Sequence, residues 1–199
     1  MGRCVTNGHR HLDPITYLVR KDSFMTQLTD VEFDVVSFGN AQQVNAVKAL
    51  VWEYFQWGNG LALPLCGIEF DIKRMFERFV DGLEKYEPPE GILYLVRHNG
   101  EWVGTGGLKR VADDVCELKR MYLKESSRQK GIGTRLLSRL MEDAKRQGYR
   151  TINLESARYM TAAYEMYRKF GFEEIPIYEQ AESDPQHRKL IYCMSRSIR

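Results

Sequence analysis

The strongest constraint on the fold is a change of hydrophobic period between Val115 and Ala144. Val115 to Leu123 is an apolar-rich run of strand type, and a polar loop follows it. Gly131 and Gly133 then open a helical pattern, in which apolar residues recur every three or four positions. A strand, a glycine-containing loop and a helix in direct succession indicate a crossover helix that packs on a sheet.

The loop Arg128–Gly133 has the chemistry of an anion site. Unpaired N–H groups at a helix start point outward, and the helix dipole adds partial positive charge, so a phosphate or pyrophosphate fits there. Gly131 and Gly133 have no Cβ and let a ligand approach the backbone, while Arg128 and Lys130 add charge. A helix start that is merely glycine-rich is the alternative interpretation.

Two well-known glycine motifs are excluded. The P-loop ends in Gly-Lys-Ser/Thr, but Gly133 is followed by Thr134 and Arg135. The dinucleotide fingerprint needs a third glycine three residues after Gly133, where Leu136 stands. A nucleotide bound at this loop would therefore be held by neither a P-loop nor a dinucleotide-binding fingerprint.

The remaining elements complete the order β-α-α-β-β-β-α-β-α-β-β. A first strand is predicted at Phe33–Phe38, a helix capped by Asn40 stops at Gly58, and a second helix covers Phe70–Leu83. Asn99-Gly100 predicts a type I′ turn within a three-stranded meander. This order predicts an α/β fold, with a mixed sheet and helices on both faces.

Composition narrows the class of protein. The 199 residues, with 43% hydrophobic content, suit one domain over residues 31–199 and an N-terminal extension over residues 1–30. A net charge of +2 disfavours nucleic-acid binding, and no apolar run approaches the roughly 18 residues of a membrane span. The cysteines Cys4, Cys66, Cys116 and Cys193 are widely separated, which predicts no metal site and a reduced, cytoplasmic setting.

Three segments together resemble the GNAT acyl-CoA N-acyltransferases. Arg128-Gln-Lys-Gly-Ile-Gly133 matches the R/Q-x-x-G-x-G/A motif of that family. The preceding strand, Glu117–Leu123, and the later segment Ala163–Phe172, with its A-x-x-x-Y-x-x-x-G-F pattern, resemble the family's in the same order. The resemblance covers Val31 to Arg199.

The resemblance implies a GNAT fold and acetyl-CoA as co-substrate. The sheet would have six to seven mostly antiparallel strands, and strands 4 and 5 would splay apart in a V around the pantetheine arm. The implied cofactor-binding residues are Met121, Tyr122, Leu123, Arg128, Gln129, Lys130, Gly131, Ile132, Gly133, Thr134, Asn153 and Tyr164. One departure is Met160, which stands where many members carry an asparagine that contacts the cofactor.

Two residues are the leading catalytic candidates. Glu117 resembles the glutamate base of the histone-acetylating branch, and strand alternation predicts that it shares a face with Met121 and Leu123. Its alternative role is to pair with a lysine or to hold the substrate amine, and Glu155 is a second candidate base. Tyr167 matches the family's tyrosine and would protonate the departing thiolate, with Tyr164 as the substitute.

The acceptor side is implied to lie at the first two helices and the loop between them. Tyr54, Trp57 and Glu155 are the candidate substrate-binding residues, and an aromatic wall can accept an apolar or cationic group. The implied function is N-acetylation of an amine on a small molecule, peptide or protein. A non-catalytic acyl-CoA sensor is the alternative, and a homodimer paired through sheet edges is an open prediction.

Overall fold

The computed structural model describes residues 30–198. Apart from Asp30, the predicted extension lies outside the described residues. The strands are β1 (Val31–Val35), β2 (Gly91–His98), β3 (Glu101–Ala112), β4 (Val115–Leu123), β5 (Thr151–Ala157), β6 (Glu173–Ile175) and β7 (Ile191–Ser197). The helices are α1 (Ala41–Cys66), α2 (Ile72–Asp81), α3 (Ile132–Arg146) and α4 (Thr161–Lys169). This is the predicted order of elements.

The strands form one seven-stranded sheet in the order β1-β2-β3-β4-β5-β7-β6. Only β4 and β5 are parallel within residues 30–198, since the other neighbouring pairs are antiparallel. Their pairing ends at Leu118 and Leu154, although β4 continues to Leu123 and β5 to Ala157. The two strands therefore separate at their carboxyl ends, which confirms the predicted fold and its splay.

Helix α1 extends past its predicted end at Gly58. It runs on to Cys66 with Pro64 inside it, and it stops at Gly67, whose φ of 66° suits a glycine cap. Gly58 is buried, and the Tyr159 hydroxyl donates a hydrogen bond to its carbonyl at 3.4 Å. An interior glycine costs about 1 kcal/mol relative to alanine, and tertiary contacts offset that cost here. The predicted loop after Gly58 is consequently helical.

Strand β4 contains a bulge at Arg120. Lys119 and Tyr122 pair with β3 residues that lie two apart, so Arg120 and Met121 together stand opposite one residue. Arg120 has a φ of 57°, in the left-handed region. The extra residue interrupts the alternation of side chains, so Met121 packs beneath α3 while Glu117 lies on the opposite face. The prediction that Glu117 and Met121 share a face is therefore wrong.

Each face of the sheet has its own apolar core. Beneath α3 the core includes Tyr94, Leu118, Leu136, Leu137, Leu140 and Met194. Beneath α1 and α2 it includes Val47, Leu50, Phe55, Phe79, Leu93 and Tyr122. Of the helices in the described part of the chain, none is both long and apolar enough to cross a membrane. Helices on both faces leave the β4–β5 splay as the natural place for a cavity.

Candidate active site

A cavity of about 450 Å³ lies at the splay of β4 and β5. Its walls are residues 118–121 of β4, residues 155–157 of β5, parts of α1 and α2, and Tyr167 of α4. Residues 182–187, in the connection between β6 and β7, cover another side. The cavity joins both faces of the sheet, so ligands from the α3 side and from the α1 side can meet in it.

The start of α3 is open to an anion. Its N-cap, Gly131, has no side chain to accept a hydrogen bond, and φ is 76° there. A Cβ added at Gly133 would lie 3.6 Å from Leu123 Cδ1 and 3.7 Å from Met166 Sδ, so the loop sits between the end of β4 and α4. The first N–H groups of the helix therefore point out of the protein with no side-chain cap, as anion binding requires.

Arg128 turns away from this helix start. Its Nε donates a hydrogen bond to the Leu123 carbonyl at 2.8 Å, and its guanidinium carbon lies 4.1 Å from the Trp57 ring centroid. Trp57 also packs against Tyr122, at 5.9 Å between ring centroids, and it is not among the residues of the cavity wall. The predicted acceptor residue Trp57 thus connects α1 to the anion loop, while Tyr54 does line the cavity.

Tyr167 reaches the cavity from α4. The residue is 5% exposed, and its ring centroid lies 5.8 Å from that of Phe172. Burial raises the pKa of the Tyr167 phenol, which keeps it protonated at neutral pH. Tyr164 is placed differently, because its hydroxyl donates to Glu174 at 2.7 Å and the residue lies off the cavity wall.

Glu117 lies behind the cavity wall rather than in it. Its side chain is 0% exposed, Lys119 Nζ lies 2.9 Å from its Oε1, and the Tyr178 hydroxyl donates to the same oxygen. Burial raises the pKa of Glu117, and the charge of Lys119 opposes that rise. The structure thus places Glu117 in the lysine pairing considered as its alternative role.

Lys119 is the centre of a buried ionic cluster. Its Nζ lies 3.0 Å from Glu155 Oε1 and 3.2 Å from Glu182 Oε2, and Lys109 also pairs with Glu182. Burial acts to lower the pKa of Lys119, but the carboxylates of Glu117, Glu155 and Glu182 raise it overall. Within residues 30–198, no group of three or more His, Cys, Asp and Glu side chains is arranged to hold a metal ion.

Glu155 connects β5 to the covering segment, residues 176–190. Its two carboxylate oxygens accept the N–H groups of Glu182 at 3.0 Å and Ser183 at 3.2 Å. Glu155 is also part of the cavity wall, whereas Asn153 lies in the paired half of β5 and away from that wall. Of the two candidate general bases, Glu117 and Glu155, it is therefore Glu155 that faces the cavity.

The covering segment supplies residues that the sequence did not indicate. Tyr178 and Glu182 reach the cluster from it, and the His187 ring contacts Phe70, with centroids 4.9 Å apart. Residues 176–190 carry no strand or helix period, and long-range contacts of an irregular connection leave no local signal. Nothing in the sequence could have placed Glu182 beside Lys119.

Solved structures share this architecture. An acetyltransferase from Streptococcus agalactiae superposes with a TM-score of 0.67 at 17% identity, covering 85% of this chain and 99% of that one. An N-acetyltransferase from Thermoplasma acidophilum, solved in complex with coenzyme A, gives 0.63 at 18% identity, covering 84% and 98%. These likenesses establish the fold.

Sequence comparison establishes the family. An uncharacterised N-acetyltransferase of Escherichia coli is 33% identical over 93 residues, which is 45% of this chain and 56% of that relative. Residues 45–172 match the model of the acetyltransferase (GNAT) family. Because that match covers more than half of the sequence, the chain belongs to this family. The predicted family is confirmed.

Proposed function

We propose that this chain transfers the acetyl group of acetyl-CoA to an amine on a small molecule, peptide or protein, by direct attack within a ternary complex. The observation that carries the proposal is the cavity at the β4–β5 splay, with Tyr167 in its wall and the uncapped start of α3 near it. Family membership and the coenzyme A complex of the Thermoplasma acidophilum relative support it.

The described residues fit two parts of a CoA ligand, its pyrophosphate and its pantetheine arm. The N–H groups of residues 131–134 would hold the pyrophosphate, together with the backbone of Gln129 and the charge of Lys130. Backbone groups of residues 121–123, on the edge of β4 that no longer pairs with β5, would hold the pantetheine arm. Arg128 would act through the position of the loop, since its guanidinium packs on Trp57. Bound acetyl-CoA supplies the activated thioester.

Glu155 is the base that we propose for the acceptor amine. An amine is protonated at neutral pH and must lose a proton before it attacks, and Glu155 faces the cavity. A carboxylate has about four acceptor positions. Lys119, Glu182 and Ser183 occupy positions on Glu155, and a position remains for a substrate or a water. Glu117, behind Lys119, would act as a positioning residue for the same cluster.

Tyr167 is the acid that we propose for the departing thiolate. Its hydroxyl makes no hydrogen bond within residues 30–198, and its raised pKa keeps the proton available. General acid catalysis of this kind contributes about 10²- to 10⁴-fold to a rate. Asn153 and Tyr164 have no part in the proposal, because both lie away from the cavity wall.

The proposal is tested by measuring free thiol released from acetyl-CoA with a panel of primary amines. We expect Tyr167→Phe to lower kcat by about 10²-fold while the KM values stay within about twofold, because the acid acts only on the leaving group. Glu155→Gln should lower kcat/KM for the amine by about 10²-fold, because the carboxylate that takes the proton is lost, while KM for acetyl-CoA stays within about twofold. Tyr149→Phe, whose hydroxyl contacts Glu90 away from the cavity, is the matched control.

The same measurements separate the enzyme from the sensor. An acyl-CoA sensor would bind acetyl-CoA but release no thiol above the rate of hydrolysis with any amine. Unchanged kcat in both Tyr167→Phe and Glu155→Gln would instead refute the assigned roles while the transferase activity stands.

We also propose a cytoplasmic setting and retain homodimerisation through a sheet edge as a prediction. β1 and β6 are the outer strands of the sheet in the described part of the chain. Sedimentation of the full chain over a range of concentrations gives the oligomeric state, and a monomer at every concentration would contradict pairing.

A further inference from the structure

Arg120 occupies an unusual position on the cavity wall. Its side chain is 14% exposed, and its backbone has the positive φ of the β4 bulge. The guanidinium carbon lies 5.3 Å from the ring centroids of both Phe55 and Phe79. A side chain in a strained backbone position persists where the surrounding structure requires it, and such positions gather at ligand sites.

The hydrogen-bonding capacity of Arg120 is unused by the residues that the structure describes. Its Nε is buried without a partner, and within residues 30–198 its guanidinium donates no hydrogen bond. The carboxylate of Glu182 lies 3.6 Å away, but Lys109 and Lys119 already hold that carboxylate. A buried guanidinium that lacks acceptors is costly, and a ligand that supplies them would remove that cost.

Two further arginines border the same part of the cavity. Arg74 and Arg78, on α2, are exposed on its wall and form no ion pair with another described residue. Of the acidic residues on that wall outside the Lys119 cluster, Asp71 and Asp184 accept backbone N–H groups at the starts of helical turns, while Glu69 is exposed to solvent. The guanidinium groups of Arg74, Arg78 and Arg120 therefore have N–H groups available for a ligand, at the end of the cavity bounded by α2.

We propose that the acceptor amine carries a carboxylate, and that Arg120 binds this carboxylate with help from Arg78 at the rim. This inference rests on the proposed acetyl transfer. A planar guanidinium presents a fork of N–H groups that matches a carboxylate, which is why arginine is favoured for such recognition. Arg120 lies on the α1–α2 side of the bulge, and Tyr167 lies across the cavity. An amino acid or a short acidic peptide is therefore the class of acceptor that fits.

The test compares acceptors that differ in whether and where they carry a carboxylate. Wild-type protein and variants are assayed by thiol release with L-phenylalanine, L-phenylalaninamide and the C-terminally amidated dipeptide Phe-Asp-NH2, so that a free α-carboxylate and a side-chain carboxylate are distinguished. We expect kcat/KM for one carboxylate substrate to exceed that for the amide by at least about tenfold, as for a lost charge-assisted contact. Arg120→Gln should bring the ratio near one, Arg120→Lys should restore part of it, and KM for acetyl-CoA should stay within about twofold.

A binding measurement makes the outcome independent of turnover. N-acetyl-L-phenylalanine should raise the unfolding temperature of the wild type more than N-acetyl-L-phenylalaninamide does, and Arg120→Lys should lessen the difference. Arg150→Gln, an exposed arginine outside the cavity, is the control and should behave as the wild type.

The two proposals fail in different ways. Acetylation of the amide as fast as the acid and the dipeptide, with equal protection by both acetylated products, would overturn the carboxylate inference and leave acetyl transfer intact. If no amine in the panel gave thiol release above the rate of hydrolysis, the proposed acetyl transfer would be overturned.

Discussion

Gly131 holds the loop before α3 in a backbone conformation that other residues rarely adopt. Its φ is 76°, and nothing lies within 4 Å of a Cβ built there, so the obstacle to a side chain is conformational. We expect Gly131→Ala to lower the free energy of unfolding by about 1–2 kcal/mol. The shifted N–H groups should also raise KM for acetyl-CoA by about tenfold, or about 1.4 kcal/mol. Urea unfolding and initial rates measure the two effects.

Gly133→Ala is the matched control for that change. A Cβ there makes only ordinary contacts, and φ lies outside the left-handed region, so stability should be unchanged or slightly higher. The family motif allows alanine at this position. If Gly133→Ala weakened acetyl-CoA binding as much as Gly131→Ala, the role assigned to the loop conformation would be incorrect.

Trp57 gives a second prediction at the scale of single residues. Its contact with the Arg128 guanidinium, at 4.1 Å, is a cation–π pair of about 0.5–2 kcal/mol. Trp57→Leu should therefore raise KM for acetyl-CoA by about 2- to 30-fold and leave KM for the acceptor unchanged. Trp52→Leu, on the same helix but packed against Phe76, should lower stability without this selective effect. A change in the acceptor KM instead would support the original assignment of Trp57 to the acceptor.

At the scale of elements, the sequence predicts most of the fold. The hydrophobic periodicity, together with glycine and asparagine at turns and helix caps, predicts every helix and strand in order, because these signals are local. The predicted end of α1 at Gly58 is wrong because contacts from Tyr159 and the sheet keep the helix intact, and those contacts are distant in sequence. The bulge at Arg120 was missed for a similar reason. It is defined by pairing with β3, and a single sequence does not contain that register.

The same distinction between local signals and long-range contacts applies to the candidate site. The anion loop and Tyr167 are contiguous motifs, and the sequence predicts them. The burial of Glu117 and the arrival of Tyr178 and Glu182 depend on the path of residues 176–190, which has no period. The sequence places Trp57 on the correct helix but predicts the wrong contact for it, because the direction of its side chain depends on the position of Arg128, which is distant in sequence.

Glu182 fixes the covering segment to the sheet, which gives a prediction about stability and pH. Burial would raise the pKa of Glu182, but Lys119, Arg120 and Lys109 lower it overall. A lowered pKa means that the stabilisation is present above the ordinary glutamate pKa of about 4.3, and is lost as pH falls through the folded-state value. Glu182→Gln should therefore lower the free energy of unfolding by about 1–3 kcal/mol at pH 7.

That difference should shrink below about pH 4, where the wild-type carboxylate begins to gain a proton in the unfolded chain. Urea unfolding of both proteins at a series of pH values provides the measurement. Glu173→Gln, an exposed change on β6, should show no such difference. A Glu182→Gln effect that grew as pH fell would contradict the assigned ion pairs.

At the scale of the whole molecule, the ligand and the fold should stabilise each other. The splay leaves the facing edges of β4 and β5 unpaired beyond Leu118 and Leu154, and CoA bound there adds contacts that the unfolded chain cannot make. At 100 times its Kd, CoA should add about 2.7 kcal/mol to the free energy of unfolding, or about 5–10 °C in Tm. Pantetheine at equal concentration, without the pyrophosphate, should give a smaller shift. Equal shifts would mean that the α3 start contributes nothing to binding.

Because of the bulge at Arg120, the effect of a deletion in β4 depends on its position. Because of the additional position, Lys119 and Arg120 lie on the same side of the sheet although they are adjacent in sequence, and the alternation resumes with Met121 beneath α3. Deleting position 120 would remove the bulge and leave residues 121–123 in their present register with β3, so the fold should survive while the guanidinium on the cavity wall is lost. Deleting Leu118 or Met121 instead would bring a charged neighbour beneath α3 and should be tolerated less well.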